Sequence, residues 1–197
     1  MPSPLGHLLA GLAVGWSLDS TPRRARTPAR AERPALGWPG LTPLALGCAA
    51  AAALPDADLL LPIAHRTVTH SLTATFVLLI IVAGVTRWVT GRARWRIAAA
   101  IAAAHATHIL MDWLGADPFP PAGLQMFWPF DSRFVIAPVE LFPGVERNFS
   151  KPEVITSNVY AAVIELALMG PVAWMAWRLR DRRSRSDASG VHVEAAP

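Results

Sequence analysis

The chain has 197 residues, 53% of them hydrophobic, a formal net charge of +4 and a mean hydropathy of +0.35. That length suits one domain, and the apolar content excludes a disordered chain and points to a membrane protein. A single cysteine, Cys48, excludes a disulfide framework and any CxxC zinc ribbon.

The opening "MPSPLGHLLAGLAVGW" lacks the basic n-region of a cleavable signal peptide, so no cleavage is expected. It starts the first apolar segment, "LGHLLAGLAVGWSL", with His7 near its beginning. The Pro- and Arg-rich stretch 20–40 reads as a flexible basic loop. "LTPLALGCAAAAALPDADLLLP" (41–62) is a second, interrupted segment that carries Cys48 as a small packing residue and closes with Asp56 and Asp58. "AHRTVTHS" is the turn into a third segment, with Thr69 or Ser71 as helix cap.

That third segment, "SLTATFVLLIIVAGVTRWV" from Ser71, has no charge until Arg87 and is the clearest span. About 20 residues rising ~1.5 Å each cover the ~30 Å hydrocarbon core. "RIAAAIAAAHATHILMDWLG" (96–115) is a fourth segment, and "VYAAVIELALMGPVAWMAW" (159–177) a fifth, with a kink expected at Gly170-Pro171. The loop 115–158, rich in Pro, Phe and Trp, reads as an extracytoplasmic piece with an interfacial aromatic belt, in which Asp117, Asp131 and Arg133 are either solvated loop charges or groups at the rim of the site. Residues 178–197 form a basic tail that need not fold, which leaves 1–177 as a single membrane-embedded domain.

Of the 18 Lys and Arg, fourteen lie in three blocks: Arg23 to Arg33, Arg87 to Arg96, and Arg178 to Arg185. With about five spans, all three blocks fall on one side, and the positive-inside rule makes that side cytoplasmic. The expectation is therefore a multi-pass, all-α bundle in the bacterial inner membrane, with the N-terminus outside and the C-terminus inside. The pI near 10.5 follows from this topology, and no nucleic acid is expected as a partner.

In that frame His7, Asp56, Asp58, His65, His70, His105, His108 and Asp112 all fall toward the outer half, while His192 sits in the tail. At ~100° per residue, His105, His108 and Asp112 share an arc of about 60° on one helix face. Ionisable residues inside a span are functional candidates by default, and imidazole with carboxylate is the usual N/O donor set of zinc and related divalent ions. Asp56 and Asp58, at i and i+2, diverge on an α-helix, so Pro55 must set them on a turn if both serve one site. One can then bind the ion while the other orients a histidine. His65 and His70 likewise need a turn to meet. Arg66 is either a snorkelling cation or a clamp for phosphate or carboxylate, and Glu165 is a further polar group inside the fifth segment. There is no HExxH, P-loop or GxSxG elbow.

The order "LPDADLL", "HRTVTHSL", "HILMDWL" and "GLQMFWPF" resembles the YdjM-like inner-membrane metal-dependent hydrolases, whose pattern is roughly PDxD, HRxxTHS, and HxxxD followed by Gly and WPF. The resemblance covers His7 to about Phe130. It implicates His7, Asp56, Asp58, His65, His70, His108 and Asp112; His105 lies outside the shared HxxxD, and Thr67 stands where many members have Gly. It also implies a distant similarity to zinc-dependent phospholipase C and single-strand nucleases.

These readings converge on an enzyme: a membrane-bound hydrolase with one or two divalent ions, zinc foremost and manganese or magnesium as alternatives. The ion acidifies a water, Asp56 or Asp58, where it is not a ligand, takes its proton, and Arg66 binds the anion. A recessed site favours an amphiphilic, phosphate-containing substrate drawn from the membrane lipids, such as a phospholipid or lipid-linked phosphate. The rival readings are a metal-ion transporter and a noncatalytic membrane protein with a structural metal.

Overall fold

The computed structural model describes residues 1–20, 40–60, 64–148, 150 and 152–190. Most of the expected loop 20–40 and the last seven residues of the expected tail lie outside the described residues. The described chain is all-helical: α1 (Pro4–Leu18), α2 (Pro43–Ala53), α3 (Leu72–Thr90), α4 (Trp95–Trp113) and α5 (Val154–Gly190), with two short 3-10 turns at Pro55–Leu60 and Val68–His70. Among the described residues, strand-like pairing is limited to isolated bridges between Gly115 and Phe142 and between Leu124 and Val135.

Helix boundaries follow local chemistry. Pro43 occupies the first turn of α2, where its missing N–H costs nothing, and Thr42 Oγ1 accepts from the Ala45 N–H at 3.2 Å. Pro55 follows at once after the alanine run and turns the chain into the 3-10 segment that carries both aspartates. Ser71 caps α3 as its sequence suggests, accepting from Ala74 N at 3.0 Å, and Gly91 ends that helix at φ 72°, a conformation other residues rarely adopt.

Helix α1 lies at the centre, packed against α2, α4 and α5, while α4 also meets α2 and α3. The close pairing of α1 with α2 rests on glycine. A Cβ added at Gly11 would stand 2.5 Å from the Cys48 carbonyl oxygen, and one at Gly15 2.5 Å from Ala45 Cα. This Gly11-x-x-x-Gly15 spacing places two bare backbones against the alanine face of α2, the small-residue packing that holds helices together where lipid supplies no hydrophobic drive. Cys48, Ala51, Ala52, Ala100 and Ala104 form the buried cluster between α2 and α4, so Cys48 is a packing residue.

Two helices are long and apolar enough to cross a membrane, Leu72–Thr90 and Val154–Ser186. The 11 residues of α2 rise only ~16 Å, about half the hydrocarbon thickness, so the apolar run that looked like a second span is cut short at Pro55. Pro171 lies inside α5 without ending it. That helix also continues through residues 178–190, where an unfolded tail was expected. The reason is tertiary: Arg180 is buried and its Nε donates to Asp19 Oδ2 at 2.9 Å, which ties the extension to the end of α1.

The segment between α4 and α5 folds back over one end of the bundle. Ala116 N donates to Phe142 O at 2.8 Å, Ala137 N to Trp113 O at 2.8 Å, and Gln125 N to Arg66 O at 2.9 Å. The fully buried Leu124 anchors it. This is the end at which the histidines collect.

Candidate metal centre

Four chain segments deliver the site. His7 comes from the second turn of α1, Asp56 from the 3-10 turn after α2, His70 from the turn before α3, and His108 with Asp112 from the last turns of α4. His108 and Asp112 are one turn apart on the same face of α4, and His108 Nε2 lies 3.2 Å from Asp112 Oδ2. Asp112 Oδ2 is also 3.5 Å from His70 Nε2, and its Oδ1 is 3.4 Å from His7 Nε2. Asp56 Oδ1 closes the group, 3.7 Å from His70 Nε2 and 3.8 Å from His108 Nε2. The His7 and His108 rings stack with centroids 3.8 Å apart.

The orientation of two of the three inner imidazoles, His108 and His70, is set from behind. His108 Nδ1 lies 2.8 Å from the Ala52 carbonyl, one of the otherwise unused acceptors at the end of α2, so Nδ1 carries the proton and Nε2 presents its lone pair inward. Thr69 Oγ1 donates to Asp58 Oδ2 at 2.7 Å and sits 3.0 Å from His70 Nδ1, which is 3.3 Å from the same carboxylate oxygen. The hydroxyl's proton is spent on Asp58, so His70 Nδ1 donates and its Nε2 also faces the cluster. Asp58 Oδ1 receives His65 Nδ1 at 2.6 Å. Asp58 therefore braces two histidines from outside the cluster, the arrangement that fixes ring orientation at metal sites.

Charge at this rim follows from the same contacts. Burial raises the Asp58 carboxyl, but His70, Thr69 and His65 outweigh it and hold the group well below the usual carboxylate range. Burial disfavours charge on His70, yet Asp56 and Asp58 prevail and raise it to about 9. Without an ion, His70 thus keeps a proton that a metal must displace. Burial lowers His65 more than Asp58 raises it.

The donor set fits a divalent cation. His7 Nδ1 and Nε2, His70 Nε2, His108 Nε2 and both Asp112 carboxylate oxygens are buried without a hydrogen-bond partner. Buried polar groups are nearly always satisfied, and so dense a cluster of lone pairs is costly unless a cation sits among them. Three trios have ligand atoms within 4.8 Å of one another: His7, Asp56 and His108; His70, His108 and Asp112; and Asp56, His65 and His70. Three imidazoles with carboxylates form the N/O set typical of zinc, manganese and related ions.

Three residues from the sequence reading stand elsewhere. His105 Nδ1 is 2.8 Å from Thr75 Oγ1 on α3, and the structure does not bring it into the cluster. The arc test neglects axial rise: seven residues place His105 ~10 Å along α4 from Asp112. Arg66 does not reach out as a free clamp. It is paired with Asp117, its guanidinium nitrogens lie 3.5 and 3.4 Å from Phe119 O, and its backbone holds φ 67°. Glu165 is fully buried as a cap for α1: Oε1 accepts from Ser3 N at 2.6 Å, and Oε2 from Gly6 N at 3.0 Å and from the Ser3 hydroxyl. Gly6 has no side chain there because a Cβ would lie 2.8 Å from that carboxylate.

Sequence reasoning did not single out the Ala52 carbonyl as an orienting group, and backbone acceptors carry no residue-type signal. Arg147 was also missed; its guanidinium NH2 is 3.2 Å from His65 Nε2 across 82 residues of chain. The Gly11-x-x-x-Gly15 spacing that seats α1, and with it His7, was missed as well, although the glycine pair is a signal present in the sequence.

The family model described as YdjM inner membrane protein matches residues 1–183. Neither the comparison with curated proteins nor that with solved structures returns a match.

Proposed function

As the chain belongs to the YdjM inner membrane protein family, we propose that it is a membrane-bound, metal-dependent hydrolase acting on a phosphoester of an amphiphilic substrate, a phospholipid or lipid-linked phosphate. The observation that carries this reading is the set of buried, partnerless nitrogen and oxygen atoms of His7, His70, His108 and Asp112 converging at one end of the bundle. These residues, with Asp56, would hold the ion, and zinc is the ion their donor set favours. A divalent ion bound there supplies an acidified water and an electrophile for a phosphoryl oxygen.

The protein's own groups divide the remaining work. Asp56 is 22% exposed, the least buried carboxylate of the cluster, and where it does not hold the ion it is placed to accept a proton from attacking water. Asp58 is engaged by Thr69 and His65 and acts as a positioning residue rather than a base. In this reading the site faces the extracytoplasmic side of a multi-pass bundle whose N-terminus is outside and whose C-terminus is cytoplasmic, as the basic blocks favour. A transporter would need polar groups continuing toward the other face. Beyond the site the α2–α4 interface is Cys48, Ala51, Ala52, Ala100 and Ala104, which disfavours an ion path.

The test is metal content of detergent-purified protein, wild type beside His70→Ala and His108→Ala. Near-stoichiometric zinc or manganese, lost in both variants, is the expected result. A wild type that takes up no metal even after reconstitution would sink the hydrolase reading and leave a polar packing cluster.

A further inference from the structure

Beside the histidine cluster lies a cleft of about 180 Å³ lined by His65, Arg66, Asp117 and Arg147 among others. Its two arginines differ. Arg66 is paired with Asp117, which largely cancels its charge. Arg147 meets no carboxylate within ion-pairing distance among the described residues; its NH2 instead points at His65 Nε2, 3.2 Å away. His65 Nδ1 is committed to Asp58 at 2.6 Å, so its Nε2 is a lone pair and accepts from the guanidinium. One of the five guanidinium donors is used this way, and the others are free for a ligand in the cleft.

The position of Arg147 is built rather than accidental. The preceding residue is fastened to α5 twice: Glu146 N donates to Asn158 Oδ1 at 2.8 Å, and Asn158 Nδ2 to Glu146 O at 3.0 Å. From there a continuous chain leads inward: Arg147 to His65, His65 to Asp58, and Asp58 to His70, 3.3 Å away, whose far nitrogen faces the candidate metal position. A planar fork carrying uncancelled charge, one histidine away from the ligand cluster, suits a tetrahedral oxyanion that also reaches the ion.

We propose that Arg147 binds the phosphoryl group of the substrate, and that the His65–Arg66–Arg147 cleft is the anion subsite of this protein. This rests on the hydrolase reading for the nature of the substrate but not for the existence of the subsite. The subsite takes a phosphate monoester or diester, whether free or on a lipid headgroup.

The experiment measures binding of inorganic phosphate, and separately of phosphatidic acid in mixed micelles, to detergent-purified full-length protein. Wild type is compared with Arg147→Ala and Arg147→Lys, with metal content and melting temperature followed for each. The expected result is phosphate affinity reduced roughly tenfold or more in Arg147→Ala, the loss of one charge-assisted contact, with metal content unchanged and partial recovery in Arg147→Lys. Phosphatidic acid showing the same dependence assigns the anion to a lipid headgroup; dependence for inorganic phosphate alone assigns it to a free ester. Both outcomes support the subsite. Equal phosphate binding by wild type and Arg147→Ala overturns it, as does the absence of any phosphate binding by the wild type. If no metal is bound but Arg147-dependent phosphate binding persists, the subsite stands and the hydrolase reading fails.

Discussion

At one end of α1, Asp19 and Arg180 are buried to 4% and 6% exposure, and the arginine donates to the aspartate at 2.9 Å. At the other end His7, His70, His108 and Asp112 are buried as deeply or more so, yet their inward-facing atoms have no partner. Both regions remove charged or polar groups from water, which is expensive wherever it happens. At the Asp19 end the cost is offset inside the protein, so the pair is complete and serves to hold the α5 extension. At the His7 end the inward groups are imidazole nitrogens and carboxylate oxygens, and the described residues supply no hydrogen bond to them. Glu165 sharpens the contrast: it too is a fully buried carboxylate, but Ser3 and Gly6 donors satisfy it. Depth of burial therefore does not set the candidate metal cluster apart from these paired groups; its unmet hydrogen-bonding capacity does.

The contrast can be broken by substitution. The largest effect should come from Asp19→Ala, which strands Arg180 as a buried unpaired cation and should cost about 3–5 kcal/mol in denaturant unfolding. A loss below ~1 kcal/mol would mean that the pair behaves like a surface contact. Next is Gly11→Leu, whose side chain must enter the Cys48 backbone; overpacking of about 1–3 kcal/mol is expected, with reduced metal retention because α1 carries His7. Unchanged stability and metal content in that variant would refute close α1–α2 packing as the determinant of His7.

Asp112→Asn tests the other end. Its carboxylate lies 3.4, 3.5 and 3.2 Å from nitrogens of His7, His70 and His108, and His70 is protonated without an ion, so in chelator-treated protein the substitution should cost about 1 kcal/mol while abolishing metal uptake. Stabilisation of the metal-free form would show that the carboxylate has no effective partner within the protein. The smallest change belongs to His105→Ala, which removes a bond to Thr75 and should cost at most about 1 kcal/mol, with metal stoichiometry intact. Loss of metal in that variant would return His105 to the ligand set.

Much of the site was legible before any coordinates, because its signals are local. Pro55 after an alanine run had to break a helix, and it sets Asp56 and Asp58 on a turn that faces them apart. Asp56 looks into the cluster and Asp58 braces the histidines, the division of labour that the spacing had left open. His108 and Asp112 share a face because four residues make about one turn. The distinction between His105 and His108 was not legible. Both are α4 histidines in an alanine-rich run, and only the neighbours separate them, Thr75 for one and the Ala52 carbonyl for the other.

By itself, then, the sequence determined the helical class, the break at Pro55 and the residue types of a candidate metal centre. Each follows from periodicity, proline chemistry or donor identity within a few residues of chain. Tertiary structure alone decided which donors meet, that Arg66 is spent on Asp117, that Glu165 caps α1, and that Arg147 stands beside His65. Those outcomes depend on the rotation and height of one helix against another. Backbone contacts such as Gly15 against Ala45 set that rotation and height; the glycine spacing marks the face that packs but not the partner it meets.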